Sequence, residues 1–434
     1  MHTVSVVRSL LLGSLLFSIG TESGLRAADW PQWRGSQRTG HAASDEKPLT
    51  ALPEAPRTVW KVPAAEGYAS PVVSEGRVFV MEAADGKEVL RALDAADGRE
   101  QWRAVIDETF KDSQGPAAPR CTAGVADGRV YAQSCRGELV CLSVKDGKRL
   151  WSVNYTRDFG AVFIGEKGSA PGATRHGNNG APRIEGGVVW ASAGSTNGAG
   201  VVALDAAAGT VQWKGGNEVA AYAAPVVTTI GGVRQVVNFM ADAVVGLDAG
   251  NGKVLWRHPM KTDFARHVMT PIVHGNRVVV GSHQTGLLGL DIESHGGQWR
   301  VGEAWTNREA GPNFSSPVLV DGHVYGLGAD RDVVCVDVAN GATRWKKSGW
   351  MSSAADKAHA GFVVVGGKSI LMLTDGGELI LFAAESAACR ELGRVQVCGA
   401  NWCNPAYVGR RLYLRDGLKA GGSWWCVELA GKGG

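Results

Sequence analysis

Short apolar stretches recur along the chain, and the same turn signal follows each of them. The repeating unit is a small residue, an apolar residue and an Asp, then a Gly at the seventh place and a Trp at the eleventh. Clear copies end at Trp102, Trp151, Trp213, Trp256, Trp299 and Trp345. Degenerate copies begin at Leu381 and Cys426. The copies begin at 92, 141, 203, 246, 289, 335, 381 and 426, so the period is about 45 residues.

Each period predicts four short strands. The apolar residues before the Asp indicate a buried strand, and the Asp and Gly are typical of the tight turn that follows it. The strand after the turn presents Trp, whose large face we expect to pack on a neighbouring unit. Upstream lies a second hairpin that begins at a Pro, most clearly at Pro71 and Pro317. Four strands in about 45 residues form one blade of a β-propeller.

The ends of the chain predict how the ring closes. The copy at Cys426 ends before it can supply a Trp strand, whereas the stretch 57–63 around Trp60 is a Trp strand without the strands that should precede it. Placing Trp60 on the last blade completes eight blades and leaves no open sheet edge. We therefore predict an all-β fold, an eight-bladed β-propeller of four-stranded blades over 57–434, preceded by an N-terminal extension, 28–56.

The first 27 residues predict export. His2 and Arg8 precede an apolar stretch, 9–19, that is too short to span a bilayer, and a cleavage site follows Ala27. An uncleaved anchor is the alternative. No Cys lies near this junction, so we expect no lipid anchor, and no later segment is long and apolar enough to cross a membrane. A soluble periplasmic or extracellular protein, and a monomer, is the expectation.

Composition narrows the function further. The net charge of the 434-residue chain is +3 with acids and bases interspersed, which gives no electrostatic footprint for nucleic acid. Eight cysteines are compatible with an oxidising compartment. Cys398 and Cys403 flank a short loop that a disulfide could close, and Cys121, Cys135 and Cys141 lie in one repeat. Spacing leaves disulfides and buried free thiols equally open.

The repeat is similar to the tryptophan-docking motif of propellers named after pyrroloquinoline quinone (PQQ). That superfamily includes PQQ-dependent alcohol dehydrogenases and the outer-membrane assembly lipoprotein BamB, so the resemblance implies the fold but not one function. The segment Asp29-Trp-Pro-Gln-Trp-Arg-Gly35 also resembles the start of exported PQQ-like propellers of planctomycete-type bacteria.

Several features of the enzymes are missing from the sequence. PQQ dehydrogenases usually carry adjacent cysteines against the quinone, and many carry a haem-attaching CxxCH; this chain has neither. No motif identifies a calcium-binding set, and no His, Asp or Glu spacing specifies a metal. The sequence therefore requires no cofactor, and PQQ with Ca²⁺ remains the cofactor of the alternative function.

A ligand site on a propeller is expected at the mouth of its central channel, where the loops before the innermost strands gather. Seven residues occupy the place three positions before the repeated Pro or its equivalent: Tyr68, Asn179, Tyr222, Val268, Phe314, His359 and Trp402. Polar residues one place earlier are Asn178, His267, Asn313 and Asn401. The hypothesis is a ring of aromatic and polar groups for a flat or polyhydroxylated ligand. The alternative is that these residues only pack between blades.

The longest connection, 152–181, carries two more candidates. Arg175 and His176 in its glycine-rich part are predicted to reach over the mouth as a lid, with a solvated loop as the alternative. Asp263 is a weak candidate for a catalytic base beside Arg266.

These observations favour a non-catalytic exported propeller that holds an envelope protein or a glycan. A PQQ-dependent alcohol or sugar oxidoreductase is the alternative, and a metal-assisted enzyme ranks third.

Overall fold

The computed structural model describes residues 29–113, 115–117, 119–166, 169–312, 314–354, 357–417 and 421–429. The predicted secretory signal lies outside these residues. Eight antiparallel four-stranded sheets make up the described chain, which confirms the all-β eight-bladed propeller. The strand that precedes the first complete blade is β1 (Arg57–Ala64).

Blades 1 to 4 follow one another along the chain, and each runs from its innermost to its outermost strand. Their strands are β2 (Val72–Ser74), β3 (Arg77–Ala84), β4 (Lys87–Asp94) and β5 (Glu100–Glu108); β6 (Gly124–Ala126), β7 (Arg129–Gln133), β8 (Glu138–Ser143) and β9 (Arg149–Asn154); β10 (Arg183–Glu185), β11 (Val188–Ala191), β12 (Val201–Asp205) and β13 (Val211–Gly215); β14 (Val226–Ile230), β15 (Val233–Phe239), β16 (Ala243–Asp248) and β17 (Val254–Pro259).

Blades 5 to 8 continue in the same order. Their strands are β18 (Ile272–His274), β19 (Arg277–Ser282), β20 (Gly286–His295) and β21 (Gln298–Asn307); β22 (Val318–Val320), β23 (His323–Leu327), β24 (Val333–Asp337) and β25 (Thr343–Lys347); β26 (Gly361–Val365), β27 (Ser369–Leu373), β28 (Glu378–Ala383) and β29 (Glu391–Gln396); β30 (Ala406–Val408), β31 (Arg411–Asp416) and β32 (Gly422–Glu428). Short helices α1 (Tyr155–Phe159) and α2 (Ala173–His176) and two 3₁₀ turns (Asp263–Ala265, Arg308–Ala310) lie in the connections.

The ring closes as the sequence predicts. β1 pairs antiparallel with β32 and supplies the outermost strand of blade 8, with Trp60 opposite Cys426. The Trp60 indole N–H then donates to the carbonyl of Ala95 in blade 1 at 3.1 Å. Blade 8 is thereby held to blade 1 by a strand from the opposite end of the chain.

Most of the motif tryptophans connect their blade to the next one. The Trp102 indole N–H donates to Val144 O at 2.9 Å, and a Cβ added to Gly147 would come within 2.6 Å of the Trp102 ring. Trp151 and Trp213 make the same bond to the following blade at 3.0 Å. The motif Gly therefore has two functions, since it adopts a positive φ and leaves room for the indole of the preceding blade.

Blade 5 departs from the predicted motif. Its two outer strands form a long hairpin that extends beyond the usual turn, and Trp299 lies near the end of that hairpin. Trp305, six residues later, makes the blade contact instead by donating to Val338 O at 2.9 Å. Because the extended hairpin replaces the tight turn, Trp256 of blade 4 bonds to Gln235 Oε1 of its own blade at 2.7 Å. Trp305 and not Trp299 therefore contacts the following blade, whereas the Trp299 ring packs on the preceding blade 4, where a Cβ added to Gly231 would come within 3.1 Å of it.

Residues 29–42 cross the end of the channel opposite the lid, and we call this segment the plug. Its backbone pairs with the innermost strands of blades 1 and 7, at Val73 and Val364. Its Pro31 carbonyl accepts from Val125 N in blade 2 at 2.7 Å. Innermost strands have one unpaired edge facing the channel, and the plug satisfies much of it.

The eight cysteines form no disulfide, and seven of them are buried. In the described part of the chain, no helix has the length and apolarity needed to cross a membrane.

Candidate ligand pocket at the channel mouth

The residues three places before each innermost-strand Pro, or its equivalent, converge on one cavity of about 250 Å³. All seven residues predicted for this ring line the cavity. The eighth position, in blade 2, is occupied by Arg120, where Ala123 stands in place of the Pro, as Phe362 does in blade 7. These eight residues are the wall ring: Tyr68, Arg120, Asn179, Tyr222, Val268, Phe314, His359 and Trp402.

A second ring lies deeper in the cavity. Its residues stand immediately before the Pro that precedes each innermost strand, or before the residue that replaces this Pro. Those that line the cavity are Ser70, Thr122, Ala181, Ala224, Thr270, Ser316 and Asn404. Five of the seven carry a hydroxyl or amide, and we call this set the hydroxyl belt. Each belt residue comes two positions after a wall-ring residue in the sequence. Both face the cavity because alternate side chains of an extended backbone point to the same side.

The plug supplies the floor of the cavity. Trp33 lines it, and its indole N–H donates to the Thr270 hydroxyl at 2.9 Å. Ligand access is therefore from the lid side of the channel, since the plug backbone crosses the other end.

Two loops form a lid over the cavity. Arg175 and His176 of α2 and Phe264 and Arg266 of the loop before blade 5 all line it. The loops are joined, because Gly172 N donates to Phe264 O at 3.0 Å. The first loop is also held to the wall ring, since the Tyr222 hydroxyl donates to Gly172 O at 2.9 Å. Arg175 and His176, which the sequence predicts to reach over the mouth, thus line the cavity together with the loop before blade 5.

One side of the wall ring is aromatic. The Trp402 ring centre lies 5.5 Å from that of Tyr68, 4.9 Å from that of Phe314 and 6.3 Å from that of His359. Burial lowers the pKa of His359 to about 4, so its imidazole is neutral at physiological pH. These rings form an apolar face against which a flat ligand can stack.

Guanidinium groups occupy the rest of the mouth. Arg120 lies over Tyr68 (5.4 Å), Arg175 over Phe264 (4.9 Å) and Arg266 over Phe314 (5.6 Å), each distance taken to the ring centre. The Arg120 guanidinium makes two 2.7 Å bonds to the buried Asp112 carboxylate, which also bonds His176 Nδ1 at 2.8 Å. None of the residues that line the cavity in the described chain is Asp, Glu or Cys.

Of the polar residues predicted one place before the wall ring, the three that the structure describes do not line the cavity. His267 is fully buried, stacked on Phe239 at 4.0 Å, with its Nδ1 bonded to Met240 O. Asn178 bonds to Cys135 O, and Asn401 accepts from Cys403 N. Adjacent residues on extended backbone point to opposite sides, so these side chains pack behind the wall. Asn313 lies outside the described residues.

Asp263 is likewise not part of the cavity lining. Its carboxylate accepts from the Gln284 side chain at 2.8 Å on the exposed surface. The candidate base is therefore paired on the outside of the lid and not directed at a ligand.

Asp112, Glu166 and His176 come together beneath the lid, which the sequence does not predict because they are far apart in the chain. Their ligand-type atoms lie within 4.8 Å of one another. Both Asp112 oxygens already accept from Arg120, and Glu166 accepts from Ser113 N and Oγ at 2.6 Å. The guanidinium charge of Arg120 opposes a cation at this position.

Sequence reasoning missed Arg120 and Trp33. Arg120 was recoverable by counting the period through blade 2, where the Pro marker is absent. Trp33 carried no such signal, since it lies outside the repeats and reaches the cavity only because the plug crosses the ring.

Together these features define an eight-bladed propeller with a blind, arginine-rimmed aromatic pocket at one channel mouth. The chain belongs to the PQQ-like family described as outer membrane protein assembly factor BamB, whose model matches residues 34–175 and 90–347. A search of curated protein sequences returns no significant match.

Solved structures resemble the chain in fold at low sequence identity. BamB from Moraxella catarrhalis is 15% identical with a TM-score of 0.57, covering 86% of this chain and 98% of its own. The quinohemoprotein alcohol dehydrogenase ADHIIG from Pseudomonas putida HK5 is 13% identical with a TM-score of 0.61, covering 93% and 80%. The computationally designed protein Ika8 is 11% identical with a TM-score of 0.57, covering 85% and 99%. At these identities the likeness establishes the fold alone.

Proposed function

We propose that the chain is an exported, non-catalytic binding propeller that holds a glycan in the pocket at its channel mouth. The observation that carries the proposal is the convergence of the whole wall ring on one cavity that also contains the hydroxyl belt. Aromatic faces stack on the apolar faces of sugar rings, and small hydroxyl and amide groups suit a polyhydroxylated ligand. The similarity to BamB is compatible with a propeller that works by binding.

The oxidoreductase alternative requires groups that the cavity lining of the described residues lacks. A bound quinone with Ca²⁺ would need carboxylate ligands for the cation and a base near the alcohol. The cavity lining of the described chain contains no carboxylate, and it includes three arginines, whose positive charge opposes a bound cation. Asp112, the acid behind the wall, is already paired with Arg120. The aromatic face suits a planar group, but the lining does not fit the cation or the chemistry.

Oligosaccharide titration calorimetry on the full chain and on Trp402→Ala tests the proposal. We expect wild-type binding to at least one soluble envelope-type glycan, and a loss of tenfold or more in the variant because the centre of the aromatic face is removed. Trp299→Ala is the matched control, since that partly buried Trp does not line the cavity.

Two results would overturn the proposal. One is the absence of binding across a broad glycan panel by folded protein. The other is a quinone absorbance band that survives desalting after reconstitution with PQQ and Ca²⁺, together with alcohol-dependent reduction of a dye.

A further inference from the structure

The guanidinium groups at the mouth are not equally neutralised. The carboxylate of Asp112 neutralises the charge of Arg120, and the Asp112 side chain is wholly inaccessible to solvent. No carboxylate of the described residues lies within ion-pair distance of Arg266, although it lines the cavity beside Phe314. The mouth therefore has an excess positive charge that a neutral ligand leaves uncompensated.

The hydroxyl groups of the belt are arranged to donate hydrogen bonds to a ligand. Ser70 Oγ accepts from Asn404 N at 2.9 Å, Thr122 Oγ1 from Ser70 N at 3.2 Å and Ser316 Oγ from Thr270 N at 3.0 Å. Each hydroxyl thus uses an acceptor site to join two blades, and its own O–H remains to donate. All three hydroxyl residues are nearly inaccessible to solvent yet line the cavity. Their donors are suited to ligand oxygens.

The cavity volume limits the ligand to a small group. About 250 Å³ lies below the roughly 300–1,000 Å³ of pockets that enclose drug-sized ligands. Because the plug closes the far end with Trp33, a chain cannot pass through the channel. The pocket can hold the end of a glycan and not its middle.

From these observations we propose that the pocket recognises a terminal acidic sugar, whose anionic group pairs with the Arg266 guanidinium while its ring stacks on the Trp402 face. This inference rests on the proposed glycan-binding function and specifies the ligand. The guanidinium fork pairs with planar oxyanions in a bidentate geometry, which makes a carboxylate or a sulfate the complementary group. The O–H donors of the belt then face the ring oxygens and hydroxyls.

The test is calorimetric titration of the full chain with three oligosaccharides that differ only in the terminal residue: glucuronate, glucose 6-sulfate or glucose. We expect an anionic terminus to bind at least tenfold more tightly than glucose, with affinity falling as salt rises. The first two arms separate a carboxylate from a sulfate, and a preference for either one supports the proposal.

Arg266→Met should reduce the affinity for the preferred anionic sugar tenfold or more, and should reduce the affinity for the glucose terminus by a much smaller factor, so that the preference for the anionic terminus is lost. Arg300→Met is the control, because it removes one exposed positive charge on the blade 5 hairpin and should change neither affinity. Folding of both variants is checked by their thermal midpoints. Equal binding of the neutral and anionic termini would overturn this inference while the glycan-binding function stands. Failure to bind all three, and every other glycan tested, would overturn the function itself.

Discussion

Arg120 shows how one side chain sets the chemistry of the mouth. It occupies the blade 2 position of the wall ring, stacks over Tyr68 and holds Asp112 in a bidentate ion pair. The Asp112 bond to His176 then ties this pair to the lid. A single residue at a repeated position therefore connects the wall, the lid and the charge balance.

Glu88 is a second buried ionisable residue, located close behind the lid. Its side chain is fully buried, and its carboxyl accepts from Cys135 N at 3.0 Å. Burial raises the pKa of Glu88 from 4.5 to about 8, with a smaller contribution in the same direction from Asp107. The folded protein therefore retains a proton here that the unfolded chain loses near pH 4.5.

The pH dependence of stability follows from that difference. Between about pH 4.5 and 8 the folded state binds one more proton than the unfolded state, so Glu88 makes stability fall as pH rises. We expect Glu88→Gln to be neutral at pH 4, and more stable than wild type by roughly a few kcal/mol at pH 8, because each pKa unit corresponds to about 1.4 kcal/mol. Urea denaturation at several pH values measures it.

Glu108→Gln, which alters an exposed carboxylate of the same blade, is the control and should show no such trend. A Glu88→Gln variant whose stability parallels that of wild type at every pH would contradict the prediction.

At the scale of the element, the turn between the two outer strands of a blade forms a packing contact with the preceding blade, which we call the joint. The turn glycine of one blade contacts the indole of the blade before it, as Gly147 does with Trp102. Blade 5 shows the converse, since its long hairpin lacks this turn and Trp256 bonds within its own blade instead.

The joint predicts that alanine substitutions of two glycines in blade 2 will lower the stability by different amounts. Gly147 and Gly128 have φ values of 70° and 69°, but a Cβ on Gly147 would lie 2.6 Å from the Trp102 ring, whereas a Cβ on Gly128 would have no neighbour within 4 Å. We expect Gly128→Ala to cost about 1 kcal/mol from backbone strain alone. Gly147→Ala should cost a further 1–3 kcal/mol or so by displacing the indole. Chemical denaturation curves measure the free energy of unfolding of both variants. Equal losses of stability would show that the contact between Gly147 and Trp102 does not stabilise the packing of neighbouring blades.

At the scale of the whole molecule, the plug holds the ring from inside. Arg38 is 3% exposed, and its guanidinium donates to Ala181 O at 2.6 Å and to Pro225 O at 3.1 Å, thereby joining blades 3 and 4. It also donates to Pro182 O. Burial lowers the pKa of Arg38 well below its usual range, so the bonds to these carbonyls must offset a substantial desolvation cost.

Arg38→Met should lower stability by on the order of 2–4 kcal/mol, because it leaves buried carbonyl oxygens without donors. The urea midpoint measures the change. Arg57→Met is the matched control, since the Arg57 side chain is 63% exposed and its ion pair with Glu428 should contribute little. A loss in the control as large as that in Arg38→Met would contradict the internal role of the plug.

The local pattern of the sequence determined the repeat, the number of blades and the closing strand. Strand alternation, turn glycines and docking tryptophans are short-range signals, and their period extends across the whole ring. The same period located seven residues of the wall ring, because equivalent positions in equivalent blades must face the same channel.

Only the tertiary structure decided what the period does not encode. The plug's crossing of the channel made Trp33 a floor residue, and the alternation of side chains turned Asn178, His267 and Asn401 away from the cavity. The charge balance of the mouth likewise depends on Asp112 reaching Arg120 and His176 from a loop outside the repeats. These contacts join residues far apart in sequence, so they exist only once the ring has closed.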